Sequence, residues 1–305
     1  MSITSFNVPS GDSRRKVTTL TIQEKKAALP HHPGERITCL TAYDYATARL
    51  VDEAGIDMVL VGDSLSMVVM GLDNTMAVTV DEMLHHTRAV RRAVKSALLI
   101  ADMPYGSYQH DDKEAVKNAV RFMKESGAEA VKLEGGQNRV DLIKRMLDAE
   151  IPVMGHIGLT PQSMHKMGGF KVQGKTLSGI EKLMKDAVAL DRAGVFSLVL
   201  EGMPREVAAE ITAEVAVPTI GIGAGPDCDG QVLVLHDILN LTFGVRPKFA
   251  RQYADIAGAI SHAVYAFKND VQMGSFPSEE ESYHLPKETK ASFEGITHRK
   301  HAMRR

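Results

Sequence analysis

The chain repeats one pattern of hydrophobic and polar positions over most of its length. A short apolar run rich in β-branched residues ends at glycine or at a polar residue, and an amphipathic stretch with helical spacing follows it. This pattern predicts strands at the apolar runs and helices between them. The predicted strands cover residues 37–42, 58–61, 97–101, 130–133, 151–154, 197–200, 218–222 and 232–235.

The amphipathic stretches have the 3.6-residue spacing of helices that cover a core on one face. They lie at residues 21–29, 45–53, 80–95, 113–126, 140–149, 180–193 and 205–215. In the first of them Thr21 is the predicted N-cap, because Glu24 follows three residues later, as in a capping box. Gly55, Gly127 and Gly194 mark predicted helix ends.

Strands that are apolar throughout and alternate with helices are typical of a parallel sheet covered by helices. Eight such units in about 250 residues have the size of a (β/α)8 barrel. An open, doubly wound sheet is the second choice, since the glycine run from Gly221 to Gly225 lacks the G-x-G-x-x-G spacing. We therefore predict an α/β protein with a single-domain (β/α)8 TIM barrel at residues 21–274, a flexible N-terminal tail at 1–20 and a polar C-terminal tail at 275–305.

Composition narrows the class of partner. The formal charge of −2 over 305 residues gives no reason to expect nucleic acid or an anionic membrane surface. No apolar run approaches the roughly 20 residues that span a bilayer, and the first residues lack the apolar core of a secretory signal. Two cysteines, Cys39 and Cys228, do not form a disulfide framework. We expect a cytoplasmic protein that binds small molecules.

One predicted strand carries charge on a face that should be buried. Side chains alternate along a strand, so Lys132 and Glu134 point to one side while Val131 and Leu133 point to the other. A buried charge is costly unless it has a partner or a task. The pair has a structural interpretation, mutual neutralisation inside a barrel, and a functional one, a place in an active site.

Carboxylates also stand at the ends of other predicted strands. Asp63 follows the second strand, Asp102 the third and Glu201 the sixth, while Glu134 ends the fourth. In a barrel these ends meet at the face that holds the active site. Three carboxylates completed by water oxygens form a hard-oxygen site that suits Mg²⁺.

Each carboxylate also has a structural interpretation. Asp63 is placed to cap the loop that follows it, Asp102 precedes a turn at Met103-Pro104, and Glu201 stands at an exposed strand end. Four independent coincidences at equivalent strand ends are less probable than one shared site. The glycine-rich, polar stretch at residues 168–175 is predicted to be a loop over the barrel mouth, where such loops are often lids.

Eight stretches of the chain match one known family. They are LTAYDYATARLVDEAGID from Leu40, VGDSLSMVVMG from Val61, ADMPYGSY from Ala101, AVKLEGG from Ala130, GHIGLTPQS from Gly155, GGFKVQGK from Gly168, LVLEGMP from Leu198 and IGIGAGPDCDGQVLVLHDIL from Ile220. Together they span roughly residues 20–275. These stretches closely resemble the ketopantoate hydroxymethyltransferase family, within the phosphoenolpyruvate mutase and isocitrate lyase superfamily of barrels.

The resemblance implies a reaction in pantothenate and coenzyme A biosynthesis, in which 5,10-methylenetetrahydrofolate donates a one-carbon unit to 3-methyl-2-oxobutanoate and 2-dehydropantoate is formed. It also implies large homo-oligomers, commonly decamers. The family's magnesium positions match Asp63, Asp102 and Glu134, some of them reaching the ion through water. Its substrate contacts match Asp63, Ser64, Asp102 and Lys132, with His156 in the same pocket, and its proposed base matches Glu201.

Three alternatives remain open at this point. Lys132 is also placed to form a Schiff base, as in metal-free aldolases. A magnesium-dependent C–C lyase of the same superfamily would use the same carboxylates but require no folate. A catalytically silent barrel would bind a metabolite without turnover. The residues that would bind folate are not predicted beyond the loop at 168–175 and the barrel rim.

Overall fold

The structure is a computed structural model that describes residues 14–29, 35–169, 171–244 and 246–293. The chain forms two compact units, Met1–Ala254 and Asp255–Arg305. The predicted boundaries at residues 20 and 274 stay predictions. The paired histidines at positions 31 and 32, beside a proline, lie outside the described residues.

Within the described residues of the first unit, eight parallel strands close into a barrel in which each strand pairs with the next along the chain and the last pairs with the first. The TIM-barrel prediction is confirmed. The eighth strand begins two residues earlier than its predicted start at residue 232. The strands are β1 (Ile37–Thr41), β2 (Met58–Val61), β3 (Leu98–Asp102), β4 (Ala130–Glu134), β5 (Val153–Gly158), β6 (Ser197–Glu201), β7 (Thr219–Ile222) and β8 (Gly230–Leu233).

Among the described residues, the seven predicted helices are present, with ends shifted by a few residues, and four further α-helices were not predicted. The α-helices in the described parts of the chain are α1 (Thr19–Ala28), α2 (Tyr45–Glu53), α3 (Leu65–Val68), α4 (Val80–Ala93), α5 (Asp112–Arg121), α6 (Val140–Asp148), α7 (Met164–Met167), α8 (Leu177–Ala193), α9 (Arg205–Glu214), α10 (Leu235–Ile238) and α11 (Ile256–Met273). A π-helical turn, Phe122–Ser126, extends α5 to Gly127, whose φ of 73° ends the helix.

The N-cap of α1 corrects the sequence prediction. Thr18, not Thr21, caps the helix: its hydroxyl accepts a hydrogen bond from the Thr21 N–H, and the Thr21 hydroxyl accepts one from the Thr18 N–H. A threonine thus takes the position that glutamate or glutamine usually fills in a capping box, and a search for glutamate places the cap three residues too late. Just before the helix, Lys16 forms an ion pair of 2.7 Å with Glu129.

The strands of the barrel lie between two apolar layers. One lies between the barrel and its helices, and the other fills the barrel interior with inward-facing side chains such as Ile100, Met154 and Val199. Ile22 from α1 belongs to the interior layer, and Lys25 of the same helix forms an ion pair of 2.6 Å with Asp57 just before β2. The helix therefore packs at the N-terminal end of the barrel, and the opposite end holds the polar side chains.

In the second unit, α11 has no buried residue. Its exposed apolar side chains Ile260, Val264, Phe267 and Val271 recur at helical spacing. That spacing places them along one face of the helix. None of the described helices is both long and apolar enough to cross a bilayer.

Candidate active site

The inward-facing positions of the barrel change from apolar to charged toward the C-terminal ends of the strands. On β3, Ile100 in the interior is followed two residues later by Asp102, which is 2% exposed. On β4, Ala130 is followed by Lys132 and then by Glu134, both buried. Because strand residues two apart share a face, the prediction that Lys132 and Glu134 point into the barrel is confirmed.

Strand register brings the predicted residues together from four strands. Asp102 on β3 pairs with Lys132 on β4, and Glu134 pairs with His156 on β5. Glu201, the last residue of β6, pairs with the last residue of β5. The charged positions therefore form one continuous band around the barrel mouth.

Lys132 is the buried cation of this band. Its Nζ lies 2.8 Å from Oδ1 of Asp102, a close ion pair in which that oxygen nonetheless lacks a well-directed hydrogen bond. Burial on its own would lower the pKa of Lys132, but the charges of Asp102, Glu134 and Asp63 outweigh it and raise that pKa. The ammonium is therefore held protonated. A Schiff-base lysine must lose its proton to attack a carbonyl, so these surroundings argue against the aldolase alternative.

The carboxylates outnumber the cation. Burial, reinforced by the charge of Asp102, raises the pKa of Asp63 to about 7. Burial likewise raises the pKa of Glu134 well above its ordinary value, despite the opposing charge of Lys132. These shifts have one physical meaning: if all three buried carboxylates were ionised, they would carry more negative charge than Lys132 neutralises, and an additional cation would relieve the excess.

His156 lies between the cation and two glutamates. An ammonium can donate but cannot accept a hydrogen bond, so in the 3.3 Å contact between Lys132 and His156 the lysine donates to Nδ1 of the ring. Burial and the charge of Lys132 lower the pKa of His156, which leaves a neutral ring with its proton on Nε2. That nitrogen lies 3.2 Å from Oε2 of Glu201, while Nδ1 lies 3.7 Å from Oε1 of Glu134. The imidazole thus separates the two glutamates.

The predicted capping role of Asp63 is not what its side chain does. Asp63 Oδ2 accepts a hydrogen bond of 2.9 Å from the side-chain amide of Gln162, and its backbone N–H donates to Oδ2 of Asp102 across 3.2 Å. The next residue, Ser64, contacts the buried Tyr43 through a hydroxyl–hydroxyl hydrogen bond of 2.8 Å. Asp63 and Ser64 therefore belong to the band at the mouth.

Two residues of the site were not predicted from the sequence. Gln162 contacts both Asp63 and Glu134, and Tyr108 contacts both Gln162 and the backbone of Glu134. Both lie in the quoted motifs ADMPYGSY and GHIGLTPQS. The signal that could have identified them is a long polar side chain placed just beyond a strand end rather than on it.

The loop predicted at residues 168–175 is described except for Phe170. The Gln173 N–H donates to the carbonyl oxygen of Gly202 across 2.8 Å, directly after β6. The loop therefore contacts the C-terminal end of the barrel, where the prediction places it, and its action as a lid stays a prediction.

The fit of a divalent cation rests on the chemistry of these side chains. Among the residues that the structure describes, no three acidic, histidine or cysteine side chains close around one point in direct ligand geometry. Asp63, Asp102 and Glu134 still form a buried set of hard oxygen donors. Mg²⁺ usually keeps several waters and takes only one or two carboxylates directly, so the set fits this ion with water completing its shell.

Comparison with known proteins decides the family. The sequence profile described as ketopantoate hydroxymethyltransferase matches residues 16–279. The chain belongs to the ketopantoate hydroxymethyltransferase family. A relative from Koribacter versatilis (strain Ellin345), named 3-methyl-2-oxobutanoate hydroxymethyltransferase, is 68% identical over 300 residues, which cover 98% of this chain and 100% of the relative. A relative of the same name from Syntrophomonas wolfei is 55% identical and covers 90% of this chain and 97% of its own length.

Solved structures with low sequence identity to this chain support the fold alone. A 2,3-dimethylmalate lyase, described as a PEP mutase/isocitrate lyase superfamily member, has a TM-score of 0.53 at 17% identity, covering 87% of this chain and 89% of its own. Phosphonopyruvate hydrolase, crystallised with oxalate and Mg²⁺, has a TM-score of 0.54 at 15% identity, covering 94% and 98%. Family membership classes the chain as a hydroxymethyltransferase and favours that activity over a C–C lyase.

Proposed function

We propose that the chain transfers a hydroxymethyl group from 5,10-methylenetetrahydrofolate to 3-methyl-2-oxobutanoate, giving 2-dehydropantoate and tetrahydrofolate. The reaction consumes one water, whose oxygen becomes the new hydroxyl group. The observation that carries the proposal is the buried band at the barrel mouth, in which Asp63, Asp102 and Glu134 surround Lys132 while Glu201 stands apart on β6. The relatives' names supply the substrate, which in turn places the chain in pantothenate biosynthesis.

The metal role is assigned to Asp63, Asp102 and Glu134, which would hold Mg²⁺ or another divalent cation partly through water. A bound cation would act as a Lewis acid toward the carboxylate and keto oxygens of the oxo acid. The excess of buried negative charge around these side chains supports this assignment.

Substrate binding is assigned to the polar groups of the same buried band. Lys132 would place a fixed positive charge near the keto oxygen, where negative charge develops as the C3 proton leaves. The hydroxyl of Ser64 and the ring of His156 would line the cavity, together with Asp63 and Asp102. Because these groups are held by the protein before substrate arrives, little reorganisation is needed during the reaction.

Glu201 is assigned as the base that takes the C3 proton. A base must lie within hydrogen-bond reach of that proton and must not be neutralised by the metal. Glu201 comes from β6, whereas the three metal-binding carboxylates come from the ends of β2, β3 and β4. The enolate carbon then forms the new C–C bond to the one-carbon unit, and both bonds from that unit to the folate nitrogens N5 and N10 break. The water oxygen bonds to the same carbon as the new hydroxyl group. One nitrogen takes a proton equivalent to the one removed from C3, and the other takes the second proton of the water.

One assay tests the reaction against its nearest alternative. Purified full-length protein is incubated with 3-methyl-2-oxobutanoate and Mg²⁺, with and without 5,10-methylenetetrahydrofolate, and 2-dehydropantoate is measured by mass spectrometry. We expect product only when folate is present, and no product after treatment with a chelator until Mg²⁺ is restored. Cleavage of a C–C bond in a branched malate, without folate, would instead identify a lyase. Activity that survives the chelator would overturn the metal assignment alone.

We propose that the protein is cytoplasmic and forms a homo-oligomer, with the decamer as the expected form. Both cysteines are free and buried, which suits a reducing compartment.

The exposed apolar face of α11 supports the homo-oligomer, because contiguous apolar surface on soluble proteins usually marks an interface. Light scattering after size exclusion should give a mass near ten times 33.2 kDa. A mass of one chain at micromolar concentration would contradict the oligomer.

A further inference from the structure

Gln162 is a neutral side chain at the centre of the charged band. It follows β5 in a short 3-10 helix, Pro161–Ser163, and is 4% exposed. Its amide nitrogen donates to Oδ2 of Asp63 across 2.9 Å and to the carbonyl oxygen of Met103 across 3.0 Å. Its amide oxygen accepts from the hydroxyl of Tyr108 across 2.6 Å and from the side-chain amide of Gln109 across 2.9 Å. The two donor and two acceptor positions of the amide are therefore all used.

These partners allow only one orientation of the amide. A flipped amide would set its oxygen against two acceptors, the Asp63 carboxylate and the Met103 carbonyl. It would also turn its nitrogen toward the Tyr108 hydroxyl, whose own acceptor position is taken by the Glu134 N–H. A fully satisfied buried network of this kind fixes the side chains that it contacts.

Gln162 holds two carboxylates at once. Its side chain contacts Asp63, and its backbone N–H donates to Oε2 of Glu134 across 3.1 Å. Each contact uses one oxygen of the carboxylate and leaves the second oxygen outside the glutamine's contacts. The two acids disfavour each other's charge, and a neutral donor orients both without adding charge of either sign.

Tyr108 ties this arrangement to the β4 backbone. Its hydroxyl accepts from the N–H of Glu134 across 3.0 Å while donating to Gln162. The ring is 1% exposed, and the guanidinium of Arg139 lies 5.1 Å from its centroid. A rigid aromatic group thereby links the position of Glu134 to that of the glutamine.

We propose that Gln162, held by Tyr108, is a positioning residue that fixes the carboxylates of Asp63 and Glu134 for binding a divalent cation. This inference rests on the metal site of the proposed function. Outer groups that orient metal ligands are worth about 10–100-fold in metal affinity. A glutamine that merely filled space would leave the affinity unchanged when replaced by a side chain of similar size.

The test measures metal binding directly, without turnover. Chelator-treated full-length protein is titrated with Mn²⁺, and free ion is followed by its electron paramagnetic resonance signal in the absence of both substrates. We expect Gln162→Met to raise the Kd for Mn²⁺ about 10–100-fold. Gln23→Met is the matched control, since Gln23 is an exposed glutamine on α1, at the N-terminal end of the barrel and away from both carboxylates. Its Kd should equal that of the unmodified protein.

Tyr108→Phe keeps the test decisive if Gln162→Met does not fold. It removes only the hydroxyl, so we expect the Kd to rise by up to about tenfold, the lower part of the range for such groups. Where Gln162→Met folds, the same change in that background should have a smaller effect, because the hydrogen bond that joins the two residues is already lost. Full additivity would show that Tyr108 acts by another route and would contradict the linkage.

The outcomes separate this inference from the proposal beneath it. Tight Mn²⁺ binding by the unmodified protein with an unchanged Kd in both folded variants would overturn the role of Gln162 and leave the metal site standing. A failure of the unmodified protein to bind Mn²⁺ would instead overturn the metal assignment, and the positioning role with it.

Discussion

Replacing Glu201 with glutamine is expected to stop exchange of the C3 proton of 3-methyl-2-oxobutanoate for deuterium and to lower kcat about 10²–10⁴-fold, the range for loss of a general base. An amide keeps the shape of the side chain but has no site that accepts a proton at this strength. The Glu201 side chain is 15% exposed, against 3% for Glu134. Solvent therefore reaches Glu201 and can remove its proton between turnovers. Exchange is followed by proton NMR in D₂O with Mg²⁺ and without folate.

The same variant should still bind the oxo acid and the metal. Glu201 stands beyond the imidazole of His156, on the side away from Glu134, and removing its charge leaves the carboxylates on β2 to β4 in place. Glu210→Gln is the matched control, because Glu210 is exposed on α9 and should exchange at the normal rate. Undiminished exchange in Glu201→Gln would remove this residue from the base role. Loss of oxo acid binding, measured by calorimetry, would make Glu201 a substrate contact instead.

The barrel and the ends of its strands are predictable because their signals are local. The alternation of Ala130, Lys132 and Glu134 with apolar neighbours shows, within five residues, which side chains face inward. The step from apolar to charged at the end of β4 is equally local. Such short-range patterns identify the strand, its inner face and the acids at the mouth.

The polar network around these acids is not local, and the sequence does not predict it. Gln162 lies 99 residues from Asp63 and 54 from Tyr108, and their contacts exist only because the closed barrel brings β2, β3 and β5 to one face. The tautomer of His156 depends in the same way on Lys132, which lies on a neighbouring strand. The predicted N-cap of α1 was wrong for a different reason: Thr18 forms its capping box with Thr21, where glutamate was expected.

Replacing Lys132 with methionine is expected to lower kcat by about 10²–10³-fold, the typical loss when one group that stabilises a developing oxyanion is removed. It should also lower the free energy of unfolding by about 3–5 kcal/mol, because removing one partner of a buried ion pair leaves an uncompensated charge. Asp102 is 2% exposed and loses the ammonium 2.8 Å away. Steady-state kinetics and urea unfolding of the metal-free protein measure the two effects.

Lys185→Met is the matched control, since Lys185 is exposed on α8 and its loss should change stability by no more than about 0.5 kcal/mol. A Lys132→Met protein as stable as the control would show that the lysine is not the cation that balances the buried acids.

Loss of activity in Lys132→Met does not show whether the lysine acts as a fixed charge or as a nucleophile. Reduction with borohydride separates the two roles, because it traps a Schiff base as a stable adduct. The carboxylates that keep Lys132 protonated make it a good cation and a poor nucleophile, so reduction in the presence of the oxo acid should leave the chain mass unchanged. A reduced adduct on Lys132 would restore the Schiff-base alternative.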